Sequence, residues 1–453
     1  MTQGAREAAW HWRMTGLPDG PSRRKAANAL PVRERGLFLE LVTGVARRER
    51  SLDAILNAAS RRGTSELALE VREALRLGLY QILFLDRIPA HAAVHATVDL
   101  LPRREERTRG FVNAILRRVA RETLVGNNAA PRNRRELLRP GRPALRLPFD
   151  WLPDPQREEA AWLAGQWSLP DEAVTWFLAD HGPETTTRLL EQAAVPPVIS
   201  LRVDDPGADL EALKSALETE GLMTSIVRDE DGSPGLNVVS GDPAATPQFK
   251  AGRYTVQGPF ASRVAPFCQL QPGETAFDVC AGAGGKTLHL AGLVPDARLV
   301  AGAPDAATTE RLLANADRLQ ARDRLEPIRI PKAGPIPEVT GANLLLLDVP
   351  CSNSGVLARR PEARARLDAT HLRDLGELQS RLLGEALDWL ENQTDPRARV
   401  VYATCSILRR ENVDLVRSRL AAHPALAVVA EIRDLPLAPH QDGGYAARIT
   451  RAE

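Results

Sequence analysis

From Phe249 onward, short apolar runs of strand length alternate with amphipathic runs of helical length, and no other feature of this chain limits its fold so closely. Strand candidates fall at 275–279, 298–301, 324–330, 342–347 and 399–403, with helix candidates at 286–293, 306–322, 375–390 and 413–423. Parallel neighbours need a long crossover, usually helical, so this alternation predicts a parallel, doubly wound α/β sheet of Rossmann-like form. Open sheets of that kind bind ligands beyond the carboxyl ends of their strands. Residues at those ends are therefore the first candidates for chemistry.

The preceding sequence reads differently. Residues 1–125 carry apolar side chains at helical spacing, as in Leu37, Leu39, Leu41, Val42 and Val45, and predict an all-α helical bundle. Residues 126–155 turn to Asn, Arg and Pro, the composition of a linker. Residues 156–248 combine amphipathic stretches bearing Trp162, Trp167 and Trp176 with strand candidates at 198–203 and 223–227, which predicts a small α/β module. Residues 249–453 complete the multi-domain plan.

A length of 453 residues and 43% hydrophobic content suffice for several cores. Four cysteines without close pairs give neither a disulfide framework nor a zinc pattern, so no metal is expected and a reducing cytoplasm is. No apolar run reaches the roughly 18 residues of a membrane span, and no hydrophobic signal core precedes Arg23. The net charge of +1 is near balance, but its distribution is uneven. Arg103, Arg104, Arg107, Arg109, Arg117, Arg118 and Arg121 crowd one segment, followed by Arg132, Arg134, Arg135, Arg139 and Arg142. Arginine suits bidentate phosphate contact, and a solvated helix face balanced by nearby Glu is the plainer alternative.

Three strand ends carry the chemistry. Asp278-Val279-Cys280-Ala281-Gly282-Ala283-Gly284-Gly285-Lys286-Thr287 closes the first strand and opens a helix. Its glycines let backbone approach a ligand where helix N–H groups are free, and its spacing fits neither a Walker loop nor a dinucleotide fingerprint. Asp348-Val349-Pro350-Cys351 follows the leucine run, and Thr404-Cys405-Ser406 follows Val400-Val401-Tyr402-Ala403. A thiolate adds to an electron-poor ring carbon and later leaves, so two thiols at strand ends suit covalent chemistry on a pyrimidine. Small buried core cysteines are the alternative.

These motifs resemble the bacterial ribosomal RNA cytosine-5 methyltransferases of the Sun (RsmB) type. The cofactor loop of that family is matched by Asp278 to Thr287. Its Asp-Ala-Pro-Cys-Ser motif is matched by Asp348 to Val356, its Thr-Cys-Ser motif by Tyr402 to Ser406 with Glu411-Asn412, and its closing segment loosely by Asp442 to Arg448. Upstream, Leu75 to Leu83, Ile88 to Val94 and Gly110 to Arg117 resemble the NusB-type RNA-binding helical domain fused to these enzymes.

The resemblance implies an S-adenosylmethionine-dependent enzyme acting on small-subunit (16S) ribosomal RNA as a cytoplasmic monomer. Cys405 would attack carbon 6 of cytosine, Cys351 would assist product release, and Asp348 would hold the base. Asp278, Cys280, Ala281, Gly282, Ala283, Gly284, Gly285, Lys286, Asp305 and Asp348 would line the cofactor. Arg103, Arg104, Arg117, Arg118, Arg359 and Arg360, with Arg364 beyond them, would meet RNA phosphates.

Departures from the family pattern cluster around the cofactor. The acidic residue expected after the second strand is missing or displaced to Asp305, since Ala301-Gly302 runs into Ala303-Pro304. The acid expected after the third strand is replaced by Arg329-Ile330-Pro331-Lys332. Gln257-Gly258 stands for a Gln-Asp pair, Gly282-Ala283 for Ala-Pro, and no basic residue follows Arg360-Pro361-Glu362. Two functions remain open: a methyltransferase with an altered cofactor pocket, or a cofactor-poor RNA-binding relative in ribosome assembly.

Overall fold

The computed structural model describes residues 4–16, 20–60, 63–127, 132–205, 207–228, 234–330 and 334–452. The chain divides into two compact units, Met1–Val195 with Leu357–Asp368, and Pro196–Val356 with Ala369–Glu453.

The first unit is helical through Glu122. Helices Val32–Ala59, Leu69–Phe84 and Glu106–Glu122 bury Phe38, Leu41, Leu52, Leu75, Leu79 and Leu116, the apolar positions at helical spacing. The stretch read as a linker instead packs into this unit. It contributes Glu136–Leu137 and Leu145–Arg146 to a small antiparallel sheet with the preceding Leu124–Val125, and buries Leu137, Leu147, Trp151 and Leu152. Its arginines serve the fold: Arg139 bonds Leu83 O and Asp86, Arg132 pairs with Glu159, and Arg134 and Arg135 pair with Asp150. Asn128 and Pro131 of that stretch lie outside the described residues. Helices Glu159–Trp167 and Asp171–Ala193, expected to belong with the strands that follow, are part of the first unit.

The second unit holds two sheets. The smaller is antiparallel, with Thr255–Val256, Ile199–Arg202, Pro234–Ser240 and Met223–Arg228 as successive neighbours. With helix Leu210–Thr219 it encloses Leu201, Leu210, Leu217, Leu236 and Tyr254. The larger has seven strands: β1 (Thr275–Asp278), β2 (Arg298–Ala303), β3 (Leu325–Arg329), β4 (Ala342–Asp348), β5 (Arg399–Thr404), β6 (Leu426–Asp434) and β7 (Gly444–Arg451). Their order is β3-β2-β1-β4-β5-β7-β6.

Strands β1 to β5 are parallel, as the alternation predicts. The sheet is not wholly parallel, because β7 runs antiparallel to β5 and β6. Both faces are covered: Leu344 and Leu346 enter one core, Leu345 and Leu347 the other. This explains an unbroken leucine run where a half-exposed strand would alternate. The chain winds from β1 toward β3 on one side and from β4 toward β6 on the other, so the switch point lies between β1 and β4. Among the described residues no helix is long and apolar enough to cross a membrane.

Candidate active site

The glycine-rich turn leaves β1 at Asp278, a buried carboxylate that accepts from Thr287 Oγ1 at 2.6 Å and Cys280 N at 3.3 Å. Burial pushes its pKa up to about 7, the Thr287 bond opposes the shift, and the Asp348 charge adds to it. Asp278 thus braces the turn from below. Gly282 and Gly284 have φ of 56° and 86°, a conformation that favours glycine at both, and at Gly284 a Cβ would also stand 2.6 Å from Leu312 Cδ1. Asn315 Nδ2 donates to Ala283 O at 3.0 Å, and Arg202 and Gln257 donate to Gly285 O. Ala281 N bonds Gly302 O, which ties the turn to β2. Burial raises the Cys280 thiol pKa, keeping it protonated.

Across the switch point, Lys286 Nζ lies 2.6 Å from Asp348 Oδ2. Burial opposes the lysine charge, but Asp348 and the nearby Cys405 outweigh it, and the Lys286 pKa is raised. Cys351 Sγ and Cys405 Sγ are 3.2 Å apart, both as free thiols. The bond to Cys405, then burial, holds the Cys351 pKa well above the ordinary range. Cys405 is less buried, and its sulfur also lies 3.2 Å from Asn353 Oδ1. Asn353 adopts a left-handed φ of 58° and donates to Cys351 O at 2.9 Å. The structure therefore brings Asp348, Cys351 and Cys405 together with Lys286 at the end of the sheet where a doubly wound fold places its ligands.

A buried carboxylate fixes the two cysteine loops. Glu411, 1% exposed, accepts from Ser352 N, Ser352 Oγ, Ser406 Oγ and Gln379 Nε2. Gln379 also donates to Pro350 O, while Asn412 bonds Thr404 and Ser406 on the other loop. Gly355 donates to Cys405 O and accepts from Gly443 N, and a Cβ there would stand 2.4 Å from Gly443 O. The Glu411-Asn412 pair is visible as a motif, but its bracing role depends on partners from three segments, Ser352, Gln379 and Thr404 to Ser406.

The far side of the switch point is barer. Ala303, 0% exposed, ends β2 with only a methyl group. Asp305 caps helix Ala306–Arg318, accepting from Thr308 N at 2.7 Å. Ile330 N bonds Ala303 O, closing the end of β3 against β2; Pro331 and Lys332 lie outside the described residues.

The candidate RNA arginines also divide. Arg103, Arg104, Arg117 and Arg360 are exposed and Arg359 is half-buried. Arg118 is exposed but stacks on Phe149 and pairs with Glu122. Arg364 is corrected: it is buried and bonds Trp167 O and Ala193 O, so it is unavailable to phosphate.

Comparison with known proteins accords with this geometry. Residues 265–443 match the model of the 16S rRNA methyltransferase RsmB/F family, and residues 17–121 that of the NusB family. Ribosomal RNA small subunit methyltransferase B of Pseudomonas putida is 31% identical over 433 residues, covering 91% of this chain and 88% of its own. The chain belongs to the ribosomal RNA small subunit methyltransferase B family. A probable family member from Synechocystis sp. is 28% identical over 446 residues, 92% of each chain. The crystal structure of PH0851 shares the fold over 100% of both chains, with a TM-score of 0.76 and 20% identity. The NusB match falls on the helical first unit, and the methyltransferase match spans strands β1 to β6 of the seven-stranded sheet.

Proposed function

We propose that this protein transfers a methyl group from S-adenosylmethionine to carbon 5 of a cytosine in small-subunit ribosomal RNA, through a covalent bond between Cys405 and carbon 6. The observation that carries this reading is the pair of thiols 3.2 Å apart beside the Lys286–Asp348 ion pair.

The residues fit the methionine half of the cofactor better than the ribose half. The turn 280–286 offers backbone at left-handed glycines beside Lys286 and Asp348, and Gln257, at its edge, has a buried Oε1 without a partner. The end of β2 has no carboxylate, since Ala303 carries a methyl group and Asp305 is occupied as a cap. When bound, S-adenosylmethionine supplies an electrophilic methyl group.

The protein's part is to make carbon 5 nucleophilic. Cys405 attacks carbon 6 as its thiolate, while Cys351 stays protonated beside it. Asp348 holds the N3 and amino edge and balances the charge that develops as the carbon–sulfur bond forms. Once Cys405 becomes a thioether, the bond that most strongly kept Cys351 protonated is lost. Cys351 then assists removal of the carbon 5 proton as the carbon 6–sulfur bond breaks and the aromatic ring is restored. The NusB-like helices, through Arg103, Arg104 and Arg117, supply sequence-independent phosphate contact. On this reading the enzyme works as a cytoplasmic monomer.

The methyl group at Ala303 favours a second reading, an RNA-binding relative that no longer methylates. Incubation of the purified chain with unmodified small-subunit RNA and S-adenosylmethionine, followed by nucleoside mass spectrometry, separates the two. 5-Methylcytidine at one position supports the enzyme. No incorporation, with RNA binding retained, supports the second reading.

A further inference from the structure

Asn353 reaches both cysteine loops with one side chain. Its Nδ2 donates to Cys351 O at 2.9 Å, and its Oδ1 accepts from Cys405 Sγ at 3.2 Å. The chemistry of the partners fixes which end of the amide faces which. A carbonyl oxygen only accepts, so the NH2 group faces Cys351 O and Oδ1 is left for the thiol. Asn353 and Cys405 are both half-buried, so each keeps some surface open to solvent.

The backbone imposes this placement. Asn353 has a φ of 58°, in the left-handed region that glycine adopts freely and most other residues avoid. Its neighbours are pinned on both sides. Ser352 donates through N and Oγ to Glu411, while Ser354 Oγ pairs with Ser406 Oγ at 2.8 Å and accepts from Ile407 N at 3.0 Å. Val356 N donates to Asn353 O, and Gly355 N to Cys405 O, both at 3.0 Å. Left-handed residues held in place by their surroundings gather at functional sites. Glycine would make the same turn with less strain, so what Asn353 adds to the turn is its amide.

The amide oxygen can do one thing to the sulfur. It bonds Cys405 while the sulfur carries its proton, and it is too weak a base to take that proton away. Its effect is therefore on direction: it fixes the line of the S–H group, and with it the sulfur lone pairs, relative to the Cys351 loop on which the amide is anchored. We propose that Asn353 is a positioning residue for the nucleophile, orienting the Cys405 sulfur toward carbon 6 of the base through an amide fixed on the Cys351 carbonyl. The proposal rests on the covalent methyl-transfer reading and deepens it.

Two substitutions in the full chain separate aiming from bracing. Asn353→Gly removes the amide and suits the left-handed backbone, and Asn353→Asp keeps the shape but replaces the amide with a carboxylate. The first measurement is the rate at which iodoacetamide alkylates Cys405 at neutral pH, followed by mass spectrometry on the peptide that contains it, and it needs no methyl transfer. Loss of an acceptor that bonds only the protonated sulfur should speed alkylation in Asn353→Gly about two- to tenfold, the worth of one hydrogen bond. A carboxylate beside the sulfur opposes thiolate formation, so Asn353→Asp should slow it by a similar factor. A loop that was only loosened would expose the thiol and speed both variants alike. The second measurement is single-turnover methylation of unmodified small-subunit RNA. Asn353→Gly should lose about tenfold or more in rate with RNA affinity unchanged, because a sulfur freer to meet a small reagent is worse aimed at carbon 6.

Alkylation that shifts in the same direction in both variants, or in neither, overturns the proposal, as does a folded Asn353→Gly that methylates at the native rate. A native chain that methylates while its variants give either result loses this inference alone. If the native chain never methylates, yet the two variants shift alkylation in opposite directions, the hold of Asn353 on Cys405 stands and the methyl-transfer reading falls.

Discussion

The two sides of the β1–β4 switch point differ in how completely their polar groups are tied down. On the base side, Asp348 pairs with Lys286, the two thiols touch, and Glu411 accepts four hydrogen bonds from the surrounding segments. On the side facing β2, the corresponding strand ends in the methyl group of Ala303, and the nearby acid, Asp305, is committed to a helix cap. Preorganised groups aimed at developing charge contribute most to catalysis, and on the proposed mechanism the base side is the one that carries such groups. At the end of β2 the proposed ribose side offers a buried methyl group and a carboxylate already used as a cap. The two halves hang from different strand ends, Ala303 of β2 on one side and Asp348 of β4 on the other.

The largest expected effect tests the base side. Cys405→Ala should abolish methyl transfer and form no covalent RNA complex. Cys351→Ala should still add to carbon 6 but stall at release, trapping a complex visible on a denaturing gel with unmodified RNA and S-adenosylmethionine. A trapped band from Cys405→Ala and none from Cys351→Ala would reverse the two roles. Neither band, with no methylation by the native chain, would extend the ribose-side deficit to the whole site.

Glu411→Ala attacks the same side structurally. It leaves the Ser352 and Ser406 hydroxyls, Ser352 N and Gln379 facing an apolar gap, and should cost about 3–5 kcal/mol in denaturant unfolding. Glu411→Gln, which keeps one acceptor, should lose less. If Glu411→Ala lost under 1 kcal/mol, the network would not be what holds the cysteine loops.

What was legible in the sequence follows the same division. The Asp-x-Pro-Cys and Thr-Cys-Ser strand ends and the glycine turn could be read because each is a few contiguous residues with its own chemistry. Glu411's function could not, since its partners come from Ser352, Ser406 and Gln379, far apart in the chain. Strand β6 escaped because its charged residues, Glu431, Arg433 and Asp434, interrupt the apolar pattern of an edge strand. The stretch 126–155 read as a linker because arginine and proline look solvated in sequence, whereas Arg139 spends its charge on Leu83 O and Asp86. Composition does not report partners more than fifty residues away.

Asp278 lies beneath the turn, on the cofactor side, and predicts a pH dependence. Its folded pKa of about 7 lies above the ordinary 3.8, so the fold favours the neutral acid. The stability this contributes is complete below pH 3.8 and is lost as pH rises through about 7, with a ceiling of roughly 4 kcal/mol. Asp278→Asn should flatten the melting temperature between about pH 4 and pH 7, the range in which the native chain is expected to lose stability as the unfolded chain releases this proton first. A native profile that rises with pH in that interval, and is left unchanged by the substitution, would show that the acid ionises without cost.

The smallest expected effect bears on the ribose side directly. Ala303→Asp places a carboxylate at the end of β2, where two ribose hydroxyls would supply charge-assisted hydrogen bonds worth about 1.5–3 kcal/mol, or ten- to a hundredfold in affinity. The site is fully buried, so without ligand the new charge is desolvated and the free protein should melt earlier. Saturating S-adenosylmethionine should restore more of the melting temperature in the variant than in the native chain, because only the variant has an acceptor to satisfy. Calorimetric titration and thermal melts measured together separate the two terms. Tighter binding with a destabilised free protein would locate the deficit at Ala303. Native low-micromolar affinity that the substitution leaves unchanged would show that the cofactor is held without a β2 carboxylate, and the contrast between the two sides would then concern packing alone.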